Sequence, residues 1–279
     1  MNRQIVEKVK GFRTTDGAGV SLVRVLGHDT VRSFDPILML DSFDSTNPDD
    51  YTAGFPFHPH RGIETISYLY KGKMIHADSI GNSDELFDGG VQWMNSGSGI
   101  MHEEKVPASD RLLGVQLWLN LPQKEKMSKP YYHNVKSEEI EEIEFDGGYL
   151  RLLAGNYKDH KGYSGDHLPL DYYDIHLNKG AKFTLDTEKQ ASVMAFTLLK
   201  DVKINGEIIE EKTAVKFSEG DTIEFEAVDD DTQVLFMSSK KLDEQIAWAG
   251  PIVMNTDQEV RDAWMDLRTG NFIKEEIEY

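Results

Sequence analysis

Two short histidine motifs constrain this chain more than any other feature of its sequence. The first reads Phe57-His58-Pro59-His60-Arg61-Gly62-Ile63-Glu64 and the second reads Gly99-Ile100-Met101-His102-Glu103-Glu104. Each offers two potential metal ligands two residues apart, His58/His60 and His102/Glu104. Residues i and i+2 of a β-strand share a face. Two such strands lying side by side would converge three imidazoles and one carboxylate on a single point. A helix would space its ligands at i and i+4 and would not accept Pro59 in its interior. The β-branched and aromatic stretch Thr65–Tyr70, closed by Lys71-Gly72-Lys73, supports strands, and Gly97 and Gly99 supply a tight bend into the second motif. The 41 residues between His60 and His102 leave room for several short antiparallel strands, the spacing of a barrel.

Any one of the nine histidines taken alone is an ordinary surface or hydrogen-bonded residue, and H-x-H alone is a weak signal. Two paired motifs with glycine-rich turns are far more specific and predict a metal site. The chain has no cysteine, which excludes thiolate ligation. A mixed imidazole–carboxylate shell admits Fe(II), Mn, Ni, Cu or Zn.

Around these motifs the chain reads as short strands and turns. Val20–Leu26 alternates in patches, and Pro36–Leu40 is an apolar run consistent with a buried strand. Asp41–Tyr51 reads as a polar loop, either a rim to the site or a solvated connection. Leu112–Leu121 predicts one more strand closing the first barrel, with Val115, Leu117, Leu119 and Leu121 on one face and Gln116 and Trp118 on the other. Gln116 could contact substrate or serve as a core hydrogen-bonding group. Phe57, Trp93, Met94 and Met101 are further candidates for the pocket wall, though each reads more readily as plain core.

The acidic stretch Ser137–Glu144 and Gly147-Gly148 mark a boundary. The expected division is residues 1–133 as a metal-binding barrel, 134–147 as an acidic linker, and 148–279 as a second barrel with a helical tail. Strands recur at Tyr149–Leu153, Tyr172–Leu177, Lys182–Leu185, Ser192–Leu199, Ala214–Phe217, Thr222–Ala227 and Gln233–Ser238, the spacing of a second β-barrel or sandwich. That half carries His160, His167 and His176 but no H-x-H or H-x-E pair, so no second site of the same design is expected. Thr256-Asp257-Gln258-Glu259 is a capping box for a helix carrying Val260, Ala263, Trp264 and Leu267 and stopped by Gly270.

Thirty basic against 49 acidic residues give a formal charge of −19, which repels phosphate backbones and disfavours direct nucleic-acid binding. Basic proteins or neutral small molecules remain compatible partners. The absence of cysteine fits a reducing compartment. The N-terminal Met1–Lys8 is no signal peptide and no apolar run approaches the ~18 residues of a membrane span, so a cytoplasmic protein, expected as a monomer, follows.

H-x-H-x3-E followed by G-x2-H resembles the two motifs of the cupin superfamily. The strings Phe57–Thr65, Val91-Gln92-Trp93-Met94-Asn95 and Gly99–Glu104, with Gly220-Asp221 and Gly250–Thr256, resemble the pirin family over nearly the whole chain. Gly97 stands where the second cupin motif often has proline, and Val106 where it often has asparagine. The resemblance implies an all-β bicupin: two tandem jelly-roll barrels with a short C-terminal helix, the second barrel a degenerate copy. General cupins draw their carboxylate from the first motif, here Glu64, and pirins from the second, here Glu104. Glu64 lies about 13 Å along an extended strand from His60, whereas Glu104 is one step of about 7 Å from His102. Glu104 is therefore taken as the fourth ligand, Glu64 as a supporting or structural residue, and Glu103, of opposite parity, faces away.

A three-histidine, one-carboxylate site leaves an octahedral ion up to two open positions, where a substrate with adjacent hydroxyl and carbonyl groups, or substrate and O2, can meet. Glu104 could also take the substrate's hydroxyl proton. The pirin resemblance implies the same chemistry, since some members show quercetin 2,3-dioxygenase activity with Fe(II) or a related metal. It also implies an alternative: a metal-holding regulatory protein that binds a protein partner and has no dedicated substrate.

Overall fold

The computed structural model describes residues 1–275 and divides into two units that do not follow the order of the chain. One comprises Arg13–Arg24, Ile37–Ser137 and the chain from Leu242 onward; the other comprises Met1–Phe12, Val25–Pro36 and Glu138–Lys241. Along the chain the long switch between units falls at Ser137/Glu138. The last stretch belongs with the first-half strands, and Ile5–Lys10 belongs with the second half, where it pairs antiparallel with Thr213–Phe217.

The unit that carries the histidine motifs holds a seven-stranded sheet. Its order is Tyr131–Val135, Gly90–Asn95, Ile63–Lys71, Leu112–Asn120, Ile37–Ser45, Val20–Leu26, Phe12–Asp16. A four-stranded sheet runs Phe55–His60, Ile100–Lys105, Met74–Asp78, Ser83–Leu86. Leu112–Asn120 forms the expected strand. It is the central strand of the larger sheet, paired on both sides, and every residue in it is buried. Gln116 is accommodated there by hydrogen bonds to Ser67 and Glu104, and Asn120 Oδ1 by one from Lys126.

The predicted Asp41–Tyr51 loop begins later than expected, because the strand runs on through Ser45. Asp41, 3% exposed, is tolerated there by a two-point ion pair with Arg24, at 2.9 Å from Nε and 2.7 Å from Nη2.

The other unit repeats the plan. Its seven-stranded sheet and the four-stranded sheet Lys182–Asp186, Thr222–Ala227, Val202–Ile204, Glu207–Ile209 enclose a core that includes Leu150, Tyr173, Ile175, Val193, Ile223, Phe225 and Phe236. The one α-helix among the described residues is Asp257–Thr269. Thr256 and Glu259 form the predicted capping box, and Gly270 ends the helix in the left-handed region at φ 75°. No helix among the described residues is long and apolar enough to cross a membrane.

Candidate metal centre

Phe55–His60 and Ile100–Lys105 pair antiparallel with His58 directly opposite His102 and His60 opposite Ile100. Strand parity does the rest: His58 and His60 point the same way, and His102 meets them from the neighbouring strand. The three rings lie 4.4 to 5.1 Å apart between centroids. One nitrogen from each lies within 4.8 Å of the other two. Nitrogens about 2.1 Å from one ion are at most about 4.2 Å apart, so a small side-chain adjustment closes the site on a first-row metal.

The hydrogen bonds around the rings decide which nitrogens are free. His58 Nδ1 lies 2.8 Å from the Pro56 carbonyl and His60 Nδ1 lies 3.2 Å from the Pro251 carbonyl. A carbonyl oxygen only accepts, so both Nδ1 atoms carry protons and both Nε2 atoms present lone pairs. Those two Nε2 atoms stand 3.0 Å apart. His102 Nε2 is buried without a hydrogen-bond partner. Burial, reinforced by the neighbouring imidazoles, holds His60 and His102 well below the ordinary histidine range, so both are neutral and available as donors to a metal. His58, His60 and His102 therefore form a cluster able to bind a metal ion.

Glu104 is 1% exposed and lies on the same strand face as His102, whereas Glu103 turns outward to Lys105, as parity requires. Its carboxylate accepts from Gln116 Nε2 at 3.0 and 3.2 Å and from Gln92 Nε2 at 3.1 Å. Its hydrogen bonds therefore come from neutral amides, and among the described residues no lysine or arginine pairs with it. Neither carboxylate is part of the three-histidine cluster: Glu104 is held by the two amides, and Glu64, fully buried, accepts a hydrogen bond from the Tyr131 hydroxyl at 2.9 Å.

Of the pocket candidates, Gln116 reaches the site through Glu104, and Met94 shares a strand face with Gln92. Phe57 and Trp93 do not reach it. Phe57 alternates with His58 and His60 on its strand and is 55% exposed. Trp93 alternates with Gln92 and Met94 and sits opposite Ile66 on the neighbouring strand. Met101, between Ile100 and His102, packs instead against the cluster containing Ile252, Val260 and Phe272.

Several residues were missed by the motif reading. Trp118 lies edge-on to His60 at 5.1 Å and close to Trp248 at 5.5 Å, adding an aromatic wall. His76 contacts His102 and Asp78 and stacks on Tyr132 at 4.2 Å. Burial pushes the Asp78 carboxyl up, but hydrogen bonds from His76 and Asn82 outweigh it and hold the group below the ordinary carboxylate range. His76-Ala77-Asp78 is itself an i, i+2 pair, the one sequence signal that could have found it.

The chain beyond residue 242 braces the first motif. Arg61, 3% exposed, donates to Ser98 O at 2.7 Å, Asp266 Oδ2 at 2.9 Å and Phe272 O at 2.9 Å. Lys126 Nζ donates to Gly62 O at 2.7 Å, Val253 O at 2.9 Å and Asn120 Oδ1. Gly62 has φ +80°, and a Cβ there would lie 2.1 Å from Val253 O, so only glycine lets the two segments approach.

Comparison with known proteins accounts for both halves. The family model described as Pirin matches residues 19–119, and the Pirin C-terminal cupin domain matches residues 172–273. The chain belongs to the pirin family. Its all-β architecture is accordingly that of two cupin domains. A pirin-like protein of Caulobacter vibrioides is 36% identical over 97% of this chain and 99% of its own length. Human Pirin is 33% identical over 96% of this chain and 93% of its own. The crystal structure of a quercetin 2,3-dioxygenase from Acinetobacter baumannii matches with a TM-score of 0.89 and 31% identity, covering 98% of this chain and 99% of that one.

Proposed function

We propose that this chain is a metal-dependent dioxygenase of the quercetin 2,3-dioxygenase type, opening a flavonol-like aromatic enol with O2. His58, His60, His102 and Glu104 would hold the ion, with Fe(II) preferred and Mn, Ni, Cu or Zn compatible with the same donors. The observation that carries the reading is the 3.0 Å approach of His58 Nε2 and His60 Nε2 while each Nδ1 faces a carbonyl. Two lone pairs at that separation repel unless positive charge lies between them. The orphaned Nε2 of His102 supports the same cation, and the Glu104 carboxylate, on the same strand face as His102 but outside the three-histidine cluster, is the candidate fourth donor.

When bound, the ion would supply Lewis acidity toward a substrate hydroxyl and a site at which O2 reacts. The chain's own groups would do the rest. Glu104, placed by Gln92 and Gln116, would accept the hydroxyl proton. Trp118 and Trp248 offer flat faces on which a planar substrate can rest. His58, the one half-buried member of the triad, marks the side from which substrate enters. The quercetin 2,3-dioxygenase from Acinetobacter baumannii supports this choice of reaction. The charge of −19 favours, as a second reading, a metal-holding protein that regulates a basic partner.

The test is anaerobic reconstitution with Fe(II), Mn(II), Ni(II) or Cu(II), followed by measurement of O2 uptake with quercetin. Turnover should disappear in both His58→Ala and Glu104→Ala while the fold is retained. No O2 uptake with any flavonol and any metal would remove the dioxygenase reading. A specific protein captured by the metal-loaded chain would then favour the second.

A further inference from the structure

His76 belongs to no part of the reading above, yet it is as fully buried as His102. Its Nε2 lies 2.9 Å from Asp78 Oδ2, its Nδ1 lies 3.4 Å from His102 Nδ1, and its ring stacks on Tyr132 at an interplanar angle of 11°. Asp78 is fixed in turn. Its Oδ1 accepts from the backbone amides of Ile80 and Asn82, both at 3.0 Å, and its Oδ2 accepts from Asn82 Nδ2 at 2.8 Å. The pairing of Met74–Asp78 with Ile100–Lys105 creates the arrangement, placing Asp78 opposite His102 and His76 opposite Glu104.

The direction of this chain of hydrogen bonds follows from its end. A carboxylate bound by three other donors can only accept, so His76 Nε2 carries the proton. In the neutral ring His76 Nδ1 is then an acceptor. The His102 nitrogen facing it must donate, which puts the His102 proton on Nδ1 and leaves Nε2, the partnerless atom, with its lone pair. His58 and His60 achieve the same state with backbone carbonyls. His102 instead relies on side chains.

We infer that His76, held by Asp78, is the positioning residue that sets the tautomer and orientation of His102, forming a carboxylate–imidazole–imidazole relay behind the metal. The inference rests on the triad being a metal site. It extends the familiar pairing of a ligand histidine with a carboxylate by inserting a second ring. Without His76 the His102 ring has no acceptor for Nδ1–H, and the tautomer that points a proton at the ion becomes accessible.

The experiment uses the full chain and Ni(II) as an air-stable probe, with two variants. His76→Phe keeps a ring against Tyr132 but offers no acceptor; His76→Asn keeps an amide oxygen near the position of Nδ1. Ni(II) affinity should fall about 10- to 100-fold in His76→Phe and stay within about threefold of wild type in His76→Asn. Long-range 1H–15N correlation on the metal-free protein should show His102 as the Nδ1–H tautomer in the wild type and as a mixture in His76→Phe. Failure of the wild type to bind Ni(II) or Fe(II) would overturn the metal reading itself. Wild-type binding with equal affinity in His76→Phe would overturn only the relay. Should His76→Phe not fold, the wild-type spectrum decides alone: an Nε2–H tautomer at His102 refutes the inference.

Discussion

Replacing Arg61 with methionine probes how the first motif is fastened. The guanidinium is 3% exposed, donates three hydrogen bonds of 2.7 to 2.9 Å and stands 4.3 Å from the centre of the Phe272 ring. Charge-assisted hydrogen bonds contribute about 1.5–3 kcal/mol each, but their sum overstates the loss, because one acceptor keeps a partner. Asp266 retains Lys274 at 3.0 Å, so its charge stays compensated. The carbonyls of Ser98 and Phe272 lose this donor. Breaking a buried ionic contact typically costs about 3–5 kcal/mol, and the surviving Lys274 pair places this case near the lower end, about 3–4 kcal/mol. For a domain of this size each kcal/mol lowers the melting temperature by about 2–4 °C, so Arg61→Met should melt about 6–16 °C below wild type in a calorimetric scan. Arg61→Lys keeps the charge but cannot direct three donors at once, and should recover only part of the loss. A melting temperature within about 2 °C of wild type for Arg61→Met would refute the view that this side chain ties the helix to the ligand strands.

Two further substitutions test neighbouring parts of the same framework. Gln116→Leu removes the amide that reaches both Glu104 oxygens at 3.0 and 3.2 Å; Ni(II) affinity by titration calorimetry should drop about tenfold or more, and an unchanged affinity would show that Glu104 needs no such support. Burial pushes the Lys126 ammonium down to about 7, against the pull of Glu244 and Glu259. The unfolded chain, with an ordinary lysine, then binds more protons above that pH, so wild-type stability should rise with pH between about 7 and 10 relative to Lys126→Met. The difference is at most about 1.4 kcal/mol per pH unit, and parallel stability–pH curves from urea titrations would contradict the assignment.

The three imidazoles were legible in the sequence because i, i+2 spacing is a strong geometric statement once strands are assumed. The same rule placed Glu103 outward, and applied to Phe57 and Trp93 it would have removed both from the pocket, since each alternates with a residue that faces the site. His76 and Asp78 are hidden from local pattern for a different reason. Their role depends on Met74–Asp78 lying beside Ile100–Lys105, and strand adjacency is not written in local composition. Asp41 opens a polar run and so reads as loop, although its charge is neutralised by Arg24, seventeen positions earlier. The support from Pro251 is a backbone carbonyl, which any residue type could supply, so no side chain announced it.

That support has a consequence for biosynthesis. His60 and Arg61 complete their hydrogen bonds with atoms of Pro251, Asp266 and Phe272, which lie 191 to 211 positions later. A ribosome exposes both histidine motifs long before it makes these partners, and the whole intervening domain must emerge first. The three-histidine cluster therefore gains these hydrogen bonds only after that domain has been made, and a protease nick ahead of Pro251 that releases the segment carrying Pro251, Asp266 and Phe272 would strip them from the first motif.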